Sequence, residues 1–445
     1  MKLLIKKGII FNPSSKRIEV LDIFINGSKI KDIASNITNS ESDVLTIDAE
    51  NKWVVPGLVD VHVHFRQPGQ EYKEGIYSGS RAAAAGGFTT VVVEPNSVPP
   101  IDTSSRLAEI LEIASSQSIV NFYSKACISL GMEGEKLVDV ESLKEAGAKA
   151  LSDDGHPVPS ELLMEKALYE GKKYGIVINP HCEESPLYRE KIISEWKIKN
   201  GSQRTSSSVP MPYSHSANPY TSEPGFVERD ILLAEKTGAH IHISHVSLAQ
   251  SVEIIAKAKK RGVRITAEAT PHHFLLTYEM AEKIGANAKV NPPLRSKNDV
   301  DAIKQGLADG TIDIIASDHA PHSPEEKSLS WEKAPFGIIG LETTLGLVLT
   351  YLVKPGILTL EQAIDKMTVL PARIFGLPDW VGTFTPGKRG DVTIIDPNKK
   401  WIVDSSKFYS KGRNCPFDGW ELQGKAVAVI VNGKLIMQDG KILNE

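Results

Sequence analysis

What is scarce in this sequence excludes several classes of protein. The 445 residues include only three cysteines, Cys127, Cys182 and Cys415, too few and too scattered for a disulfide framework or a zinc ribbon. No apolar run reaches the length of a membrane span, and the first residues lack the apolar stretch of a secretory signal. We therefore expect a cytoplasmic protein in which Cys182, beside His181, is a buried and inert thiol.

An excess of charge of either sign is also missing. The 51 lysines and arginines and the 55 aspartates and glutamates are spread along the chain and give a formal net charge of −4. This distribution provides no basic stripe for nucleic acid and no polybasic anchor for a membrane. With 41% hydrophobic and 24% charged residues, the composition is that of a globular protein with one large and one smaller domain. The expected partner is a small molecule.

Short apolar runs alternate with helical stretches between residues 56 and 377, as in "GFTTVVVEP", "YGIVINPHCE" and "GTIDIIASDHAPH". This alternation predicts βαβ units and a parallel sheet. Roughly eight such units fit into the stretch, which is near the usual size of a (β/α)₈ TIM-like barrel. A doubly wound open sheet is the alternative, and it is disfavoured because no phosphate-binding glycine fingerprint follows a first strand.

The two ends of the chain consist of short strands with turn signals. Residues 23–33 and 429–443 each carry an Asn-Gly between β-prone segments, the strongest short signal of a hairpin. We expect residues 1–55 and 378–445 to form one small flanking β-sandwich domain beside a barrel of residues 56–377. The alternative is two unrelated surface hairpins.

Residues 200–225 are rich in serine, proline, asparagine and glycine and show no periodicity, which predicts a loop. Loops of this length in a compact domain are usually functional lids or disordered. His215 lies in this segment and is expected to be solvated.

The stretch "VDVHVHF" places His62 and His64 two residues apart in a predicted strand, so both side chains project from one face. Two imidazoles at the end of a barrel strand form half of a metal site. The alternative is a pair of hydrogen-bonded core histidines, because an isolated His-X-His is a weak signal.

Later strands end in further side chains that can bind a metal: Asp153 and Asp154, His181, His245, and Asp318. Catalytic groups of (β/α)₈ barrels come from the carboxyl ends of several strands. Four histidines and two aspartates suffice for two divalent ions joined by a shared carboxylate and a hydroxide. The mixed ligands favour Zn²⁺ over Mg²⁺. Such ions supply hydroxide at neutral pH and polarise a carbonyl, so we predict hydrolysis of an amide-like bond, with Asp318 transferring the proton.

Four other histidines compete for roles near these strand ends. Strand parity groups His245 with Ile241 and Ile243, which predicts an apolar barrel interior capped by His245. His240 and His242 fall on the opposite face and are expected to lie under a helix. His272 and His273 follow the next strand and are either pocket residues behind the metal ligands or structural residues; the pattern leaves this open.

Several blocks, "PGLVDVHVHFRQPGQEYKE", "GGFTTVVVEPN", "SDDG", "NPPLR" and "SDHAPHSPEEK", resemble the dihydroorotases of the amidohydrolase superfamily, specifically the class I bacterial type. The resemblance extends over nearly the whole chain, including the split β-domain. It implies the zinc-dependent, reversible cyclisation of N-carbamoyl-L-aspartate to L-dihydroorotate and water in de novo pyrimidine (UMP) biosynthesis. It also implies a metal-bridging hydroxide as the nucleophile and Asp318 as the acid/base.

The resemblance assigns roles to twelve residues. It implies metal ligation by His62, His64, Asp154, His181, His245 and Asp318, and substrate contacts from Arg66, Asn96, Asn291, His322, Phe336 and Gly337. An arginine fork is a usual way to hold a carboxylate such as that of dihydroorotate. Many relatives bridge their metals with a carboxylated lysine, for which Lys149 is the candidate, but "SDDG" matches the class I type, which uses an aspartate. Asp154 is therefore favoured over Asp153 and Lys149.

The chain also departs from the family pattern. Glu94 precedes Pro95-Asn96 where the family usually has methionine, and a glutamate near a carboxylate site is unexpected unless it faces away. A hydantoinase or allantoinase is the nearest alternative function, but a neutral ring would not need Arg66 and His322. A non-catalytic scaffold is a further alternative, disfavoured because every expected ligand position is filled. The resemblance implies a homodimer and, as in some class I members, association with aspartate transcarbamoylase.

Overall fold

Strands and helices alternate from Leu58 to Ile374, and strands dominate outside that region. The computed structural model describes residues 1–13, 17–38, 43–183 and 223–443. The strands are β1 Lys2–Asn12, β2 Arg17–Asn26, β3 Lys29–Ala34, β4 Val44–Asp48, β5 Trp53–Pro56, β6 Leu58–Val63, β7 Phe88–Val93, β8 Asn121–Ser124, β9 Ala150–Leu151, β10 Val177–Ile178, β11 Ile241–Ile243, β12 Ile265–Ala269, β13 Ile314–Ile315, β14 Val392–Ile402, β15 Glu421–Val431, β16 Lys434–Gln438 and β17 Lys441–Ile442.

The helices lie mainly between the central strands. They are α1 Ile76–Gly86, α2 Ser104–Gln117, α3 Val140–Glu145, α4 Glu161–Tyr174, α5 Glu223–Thr237, α6 Ala249–Lys260, α7 Pro271–Leu275, α8 Tyr278–Ile284, α9 Lys297–Asp309, α10 Pro324–Lys327, α11 Thr344–Val348, α12 Leu360–Lys366 and α13 Val369–Ile374. A π-helical segment, Leu349–Val353, continues α11, and short 3₁₀ turns lie at Leu130–Met132, Gly285–Ala288 and Ser405–Lys407. Among the described residues, none of these helices is both long and apolar enough to cross a membrane.

The central strands form two parallel sheets, one of three strands in the order β6-β7-β8 and one of five in the order β13-β12-β11-β10-β9. Single parallel bridges pair Ala126 with Leu151 and Val63 with His319, so the two sheets also meet at both of their outer edges. All of these strands run in one direction. Their carboxyl ends therefore lie together, where the residues that follow them can meet.

Alternating side chains of the central strands pack into two separate layers. One face packs against the helices; it includes Ile241 and Ile243 of β11, together with Leu168 of α4 and Ile255 of α6. The other face forms a smaller cluster that contains Val59, Val61, Val92, Ala150, Val177, Ile314 and, after α13, Phe375. Successive strand residues face opposite sides, and helices cover the first face. The second face is therefore the inner one.

The parity prediction for β11 is therefore wrong. His242 lies between Ile241 and Ile243, and its ring stands 5.1 Å from that of Phe375 between centroids. It faces the inner cluster, while the two isoleucines face the helices. The pattern of apolar residues does not distinguish the two faces of this strand, because a parallel sheet covered by helices is apolar on both faces.

The strands from the two chain ends form one nine-stranded sheet in the order β17-β16-β15-β14-β5-β1-β2-β3, with β4 paired to β1. Strand β5 joins the ends, because it pairs with β1 and with β14. Both Asn-Gly segments form hairpins, and the second places Asn432 and Gly433 at φ 52° and 71°, as a type I′ turn requires. A Cβ added at Gly433 would lie 1.9 Å from the Gly27 carbonyl oxygen, so the two predicted turns touch.

Most of the predicted loop of residues 200–225, including His215, lies outside the described residues. Its last three residues are not loop, because α5 begins at Glu223. The Glu223 carboxylate is buried and accepts hydrogen bonds from the backbone N–H groups of Ser247 and Leu248, each at 3.1 Å. These bonds fix the start of α5 beside the end of β11, a long-range contact that local composition does not reveal. All three cysteines are free and buried.

A buried acid in the terminal sheet leads to a stability prediction. The Asp22 side chain is 4% exposed and accepts hydrogen bonds from Lys6 Nζ at 2.6 Å and from the N–H groups of Lys7 and Ile37 at 2.8 Å. Burial alone would raise the Asp22 pKa, but these donors outweigh it and lower the pKa. We expect Asp22→Asn to lower the free energy of unfolding at pH 7 by about 1–3 kcal/mol, measured by urea denaturation.

The pH dependence of that difference has a definite sign. The folded pKa of Asp22 lies below the unfolded value, so its contribution is present above the unfolded pKa and is lost as the pH falls through the folded pKa. The wild type and the Asp22→Asn variant should therefore converge in stability under acid conditions. Equal urea midpoints at pH 7 would contradict the prediction.

Candidate metal centre

The histidines and the aspartate at the carboxyl ends of the central strands meet at one point. His62, His64 and Asp154 offer ligand atoms that all lie within 4.8 Å of one another, and so do Asp154, His181 and His245. All five residues are buried. Because Asp154 belongs to both groups, the arrangement offers two adjacent sites that share one carboxylate.

The Asp154 carboxylate reaches all four histidines. Its Oδ1 atom lies 3.3 Å from His245 Nε2 and 3.4 Å from both His181 Nδ1 and His62 Nε2, and its Oδ2 atom lies 3.5 Å from His64 Nε2. Burial alone would raise the Asp154 pKa, but His62 and the hydrogen bonds from His181 and His245 outweigh it and hold the pKa well below its usual range. The carboxylate is therefore ionised.

Asp318 lies against the first group of three. Its Oδ1 atom is 3.1 Å from His64 Nε2 and 3.6 Å from His62 Nε2. Burial acts to raise the Asp318 pKa, but the His64 hydrogen bond and the charges of His62 and His64 outweigh it and lower the pKa. His272 Nε2 lies 3.8 Å from Asp318 Oδ2, whereas His273 bonds the Pro292 carbonyl at 3.0 Å. Of the two histidines that the sequence left open, His272 thus faces the site and His273 supports a loop.

Three site residues leave the strands through left-handed backbone. Arg66, His245 and Asp318 have φ values of 49°, 29° and 49°. A non-glycine residue in this region is strained, and such strain clusters at functional sites. The turn at His245 ends the regular alternation of β11. Strand parity therefore does not predict where His245 points, and the turn brings it to the site.

The histidine chemistry fits a bound cation. His62 Nε2 is buried and has no hydrogen-bond partner among the described residues. Its other ring nitrogen, Nδ1, bonds Glu268 Oε1 at 2.5 Å. A metal-bound histidine typically gives one nitrogen to the ion and donates from the other to a carboxylate or carbonyl. His64 shows the same arrangement, with Nδ1 donating to Asn96 Oδ1 at 2.9 Å and Nε2 facing the aspartates.

The other two candidates for the shared ligand lie elsewhere. Asp153 accepts hydrogen bonds from the N–H groups of Ile128 at 2.7 Å and Ser129 at 3.2 Å, and burial raises its pKa to about 6. Lys149 Nζ stands over the Tyr123 ring, 5.1 Å from its centroid. Of the three residues, the structure brings only Asp154 among the histidines.

The predicted substrate residues line one side of this cluster. Arg66 Nη2 lies 3.3 Å from His322 Nε2, and His322 Nε2 lies 2.8 Å from the Phe336 carbonyl oxygen. Burial, followed by the charge of Arg66, lowers the His322 pKa to about 3, so this imidazole is neutral. Asn291 Nδ2 lies 3.1 Å from His181 Nε2. A cationic fork and several neutral polar groups thus adjoin the ligands.

Two predicted substrate residues make contacts within the protein. The Asn96 amide nitrogen donates to the Asp154 carbonyl oxygen at 3.3 Å while its oxygen accepts from His64, so Asn96 orients two members of the cluster. The Gly337 N–H donates to the Lys289 carbonyl oxygen at 2.9 Å. Gly337 has φ 133°, and a Cβ there would lie 2.6 Å from the Ala320 carbonyl oxygen, so this position requires glycine.

The glutamate that departs from the family pattern, Glu94, does not face away from the site. Glu94 is buried, forms an ion pair with Lys125 Nζ, and places Oε1 at 3.6 Å from His62 Nε2. Two further residues of the site, Lys125 and the His62 partner Glu268, are not among the residues predicted from the sequence. Their signal is a charged residue within or just after an apolar strand, in "NFYSKAC" and "ITAEAT".

Comparison with known proteins identifies the class of protein that this fold and cluster define. The sequence pattern of the family described as "Amidohydrolase family" matches residues 53–436. This range covers most of the chain, so the chain belongs to the amidohydrolase family.

Similar curated proteins within the family are named dihydroorotase. The dihydroorotase of Pelotomaculum thermopropionicum is 47% identical over 439 residues and covers 99% of each chain. That of Syntrophus aciditrophicus is 43% identical and covers 99% of this chain and all of its own. Among solved structures, the L-hydantoinase (dihydropyrimidinase) of Arthrobacter aurescens superposes with a TM-score of 0.87 at 28% identity, covering 100% of this chain and 97% of its own. Full-length sequence similarity thus favours dihydroorotase.

Proposed function

We propose that this protein is a dihydroorotase, a hydrolase of cyclic amides that interconverts N-carbamoyl-L-aspartate and L-dihydroorotate with water in de novo pyrimidine biosynthesis. One observation carries the proposal: relatives of that name match the whole chain at 42–47% identity, and the chain brings together the buried His/Asp cluster that such a hydrolase needs. The hydantoinase alternative has weaker support, because the L-hydantoinase structure is only 28% identical in sequence.

The proposal includes the (β/α)₈ barrel, with residues 56–377 as its span and a β-sandwich domain from residues 1–55 and 378–445. The parallel bridges at both edges of the two central sheets support a closed barrel, and the joint sheet of the two chain ends supports the smaller domain. From the resemblance we also propose a cytoplasmic homodimer that can associate with aspartate transcarbamoylase.

The metal centre of this enzyme is proposed to hold two Zn²⁺ ions. The ligands would be His62, His64, Asp154, His181, His245 and Asp318, with Asp154 shared. Mixed imidazole and carboxylate donors suit zinc. Zinc bound here would lower the pKa of a water molecule and polarise the amide carbonyl.

The chain's own residues account for proton transfer and substrate binding. Asp318 is ionised, so its carboxylate can accept the proton of the attacking water and return it to the leaving ring nitrogen. Arg66, beside the neutral His322, is placed to bind the substrate carboxylate through charge-assisted hydrogen bonds. Asn96, Asn291 and the backbone at Phe336 and Gly337 complete the proposed substrate contacts.

Turnover of three cyclic amides tests the function directly. Purified protein should hydrolyse L-dihydroorotate and leave hydantoin and allantoin intact, because only dihydroorotate presents a carboxylate to Arg66. Removal of metal with a chelator should abolish the activity, and added Zn²⁺ should restore it. Hydrolysis of hydantoin or allantoin alone would favour another cyclic amidase. A purified protein with neither bound metal nor activity would favour a non-catalytic scaffold.

A further inference from the structure

Two charged residues that the proposed reaction does not use lie beneath the metal centre. Glu94 directly follows β7 and Lys125 directly follows β8, so neighbouring strands deliver them to the same end of the sheet. Both side chains are 0% exposed. Burying an ion pair costs desolvation free energy that a well-packed apolar pair would not incur, so the pair calls for a reason beyond stability.

The contacts of Lys125 hold Glu94 in place. Lys125 Nζ donates to Glu94 Oε1 and, at 2.5 Å, to Asn179 Oδ1. Asn179 is itself fixed, because its amide nitrogen donates to Ser244 Oγ at 2.7 Å and to the His242 carbonyl oxygen at 2.9 Å. The ammonium therefore bridges β7 to β10 and β11 through buried hydrogen bonds.

One oxygen of Glu94 remains unused. Its Oε2 atom is buried and has no hydrogen-bond partner in the part of the chain that the structure describes. The same is true of His62 Nε2, which lies 3.6 Å from Glu94 Oε1. An unpaired buried carboxylate oxygen is costly, because its desolvation is not compensated. The unpaired Oε2 atom and the unpaired His62 Nε2 atom belong to two side chains that lie against each other, and a cation bound at this cluster would give each of them a partner.

The spacing agrees with this interpretation. Two ligand atoms bound to one zinc ion at about 2.0–2.2 Å in tetrahedral geometry are about 3.3–3.6 Å apart. Three carboxylate oxygens lie at such distances from His62 Nε2: Asp154 Oδ1 at 3.4 Å, Asp318 Oδ1 at 3.6 Å and Glu94 Oε1 at 3.6 Å. The Glu94 carboxylate thus comes about as close to His62 Nε2 as two of the proposed ligands do, through the oxygen that also accepts from Lys125.

We infer that Glu94 is a further carboxylate of the metal centre, which binds the ion held by His62 and His64, and that Lys125 is the positioning residue that holds it. The inference rests on the metal centre proposed above and adds a residue to it. It accounts for the buried ion pair and for the unpaired Oε2 atom.

Metal affinity of the full-length protein tests the inference without reference to activity. We would measure Zn²⁺ affinity by competition with a chromophoric chelator, and ligand number from the visible absorption of Co²⁺-loaded protein. Glu94→Gln keeps the side-chain shape and an acceptor for Lys125 but removes the charge. The double variant Glu94→Met with Lys125→Met replaces the whole pair with apolar side chains of similar length. Asp22→Asn is the matched control, a buried lysine-paired acid in the terminal sheet.

If Glu94 binds the ion, both Glu94 variants should bind Zn²⁺ about ten- to a hundredfold more weakly, and the Co²⁺ absorption should change. The control should match the wild type. Circular dichroism of each metal-free protein checks folding, and the double variant serves if Glu94→Gln fails to fold. Wild-type affinity in the double variant would show that the pair is only structural and would overturn the inference. A wild type that binds no metal would instead overturn the proposed centre itself.

Discussion

Asp154→Asn is expected to lower the turnover of L-dihydroorotate at least about a thousandfold, a loss of about 4 kcal/mol in transition-state stabilisation. Asparagine preserves the shape of the side chain but removes the negative charge that faces four histidines within 3.5 Å. It also replaces one of two acceptor oxygens with an N–H donor, which a cation repels. Because Asp154 belongs to both groups of three ligands, both halves of the centre should weaken together.

The metal content of the purified variant, measured by elemental analysis, separates loss of binding from loss of chemistry. Asp153→Asn is the matched control, because Asp153 is the neighbouring buried aspartate and its carboxylate bonds the backbone at Ile128 and Ser129. We expect Asp153→Asn to retain bound metal. If Asp153→Asn lost the metal and Asp154→Asn kept it, the assignment of the shared ligand would be reversed.

Arg66→Met should raise the KM for L-dihydroorotate about ten- to a hundredfold, with a smaller change in kcat. Charge-assisted hydrogen bonds contribute about 1.5–3 kcal/mol each, and the affected group is the substrate carboxylate, which is remote from the bond that breaks. Arg66→Lys should fall between the wild type and Arg66→Met, since lysine keeps the charge without the planar fork. Steady-state kinetics of the three proteins would give these values.

A substrate without the carboxylate supplies the control. Dihydrouracil has the same ring but no negative charge, so the wild type and Arg66→Met should process it equally, however slowly. An equal loss on both substrates would mean that Arg66 supports the site structurally, for example through its hydrogen bond to the Pro321 carbonyl oxygen at 3.3 Å. The carboxylate assignment would then pass to other residues.

Local patterns predicted much of this protein because the relevant physics is local. The two-residue period of a strand placed His62 and His64 together, and their ring centroids are 5.4 Å apart. The second Asn-Gly formed its hairpin because only a few residue types tolerate two successive left-handed positions. The apolar runs became parallel strands, whose carboxyl ends collect the side chains that follow them.

Periodicity misled where both faces of a strand are apolar and where the backbone leaves its regular geometry. His242 was assigned to the helix-covered face although it lies inside, because both faces of these strands are apolar. His245 reached the site through a left-handed turn that strand parity cannot anticipate. The choice between Asp153 and Asp154 was open for the same reason, since adjacent residues after a strand have no fixed orientation until the turn is formed.

The sequence by itself determined which chemistry this protein can perform, because residue types and their positions after the strands are written in it. Only the tertiary structure decided which charges meet. Lys125 bonds Glu94, which lies 31 residues away in the sequence, and Asn179, which lies 54 residues away, yet the three side chains share one buried cluster. Such contacts arise when parallel strands bring distant segments side by side, and no local pattern specifies which neighbour each buried charge will find.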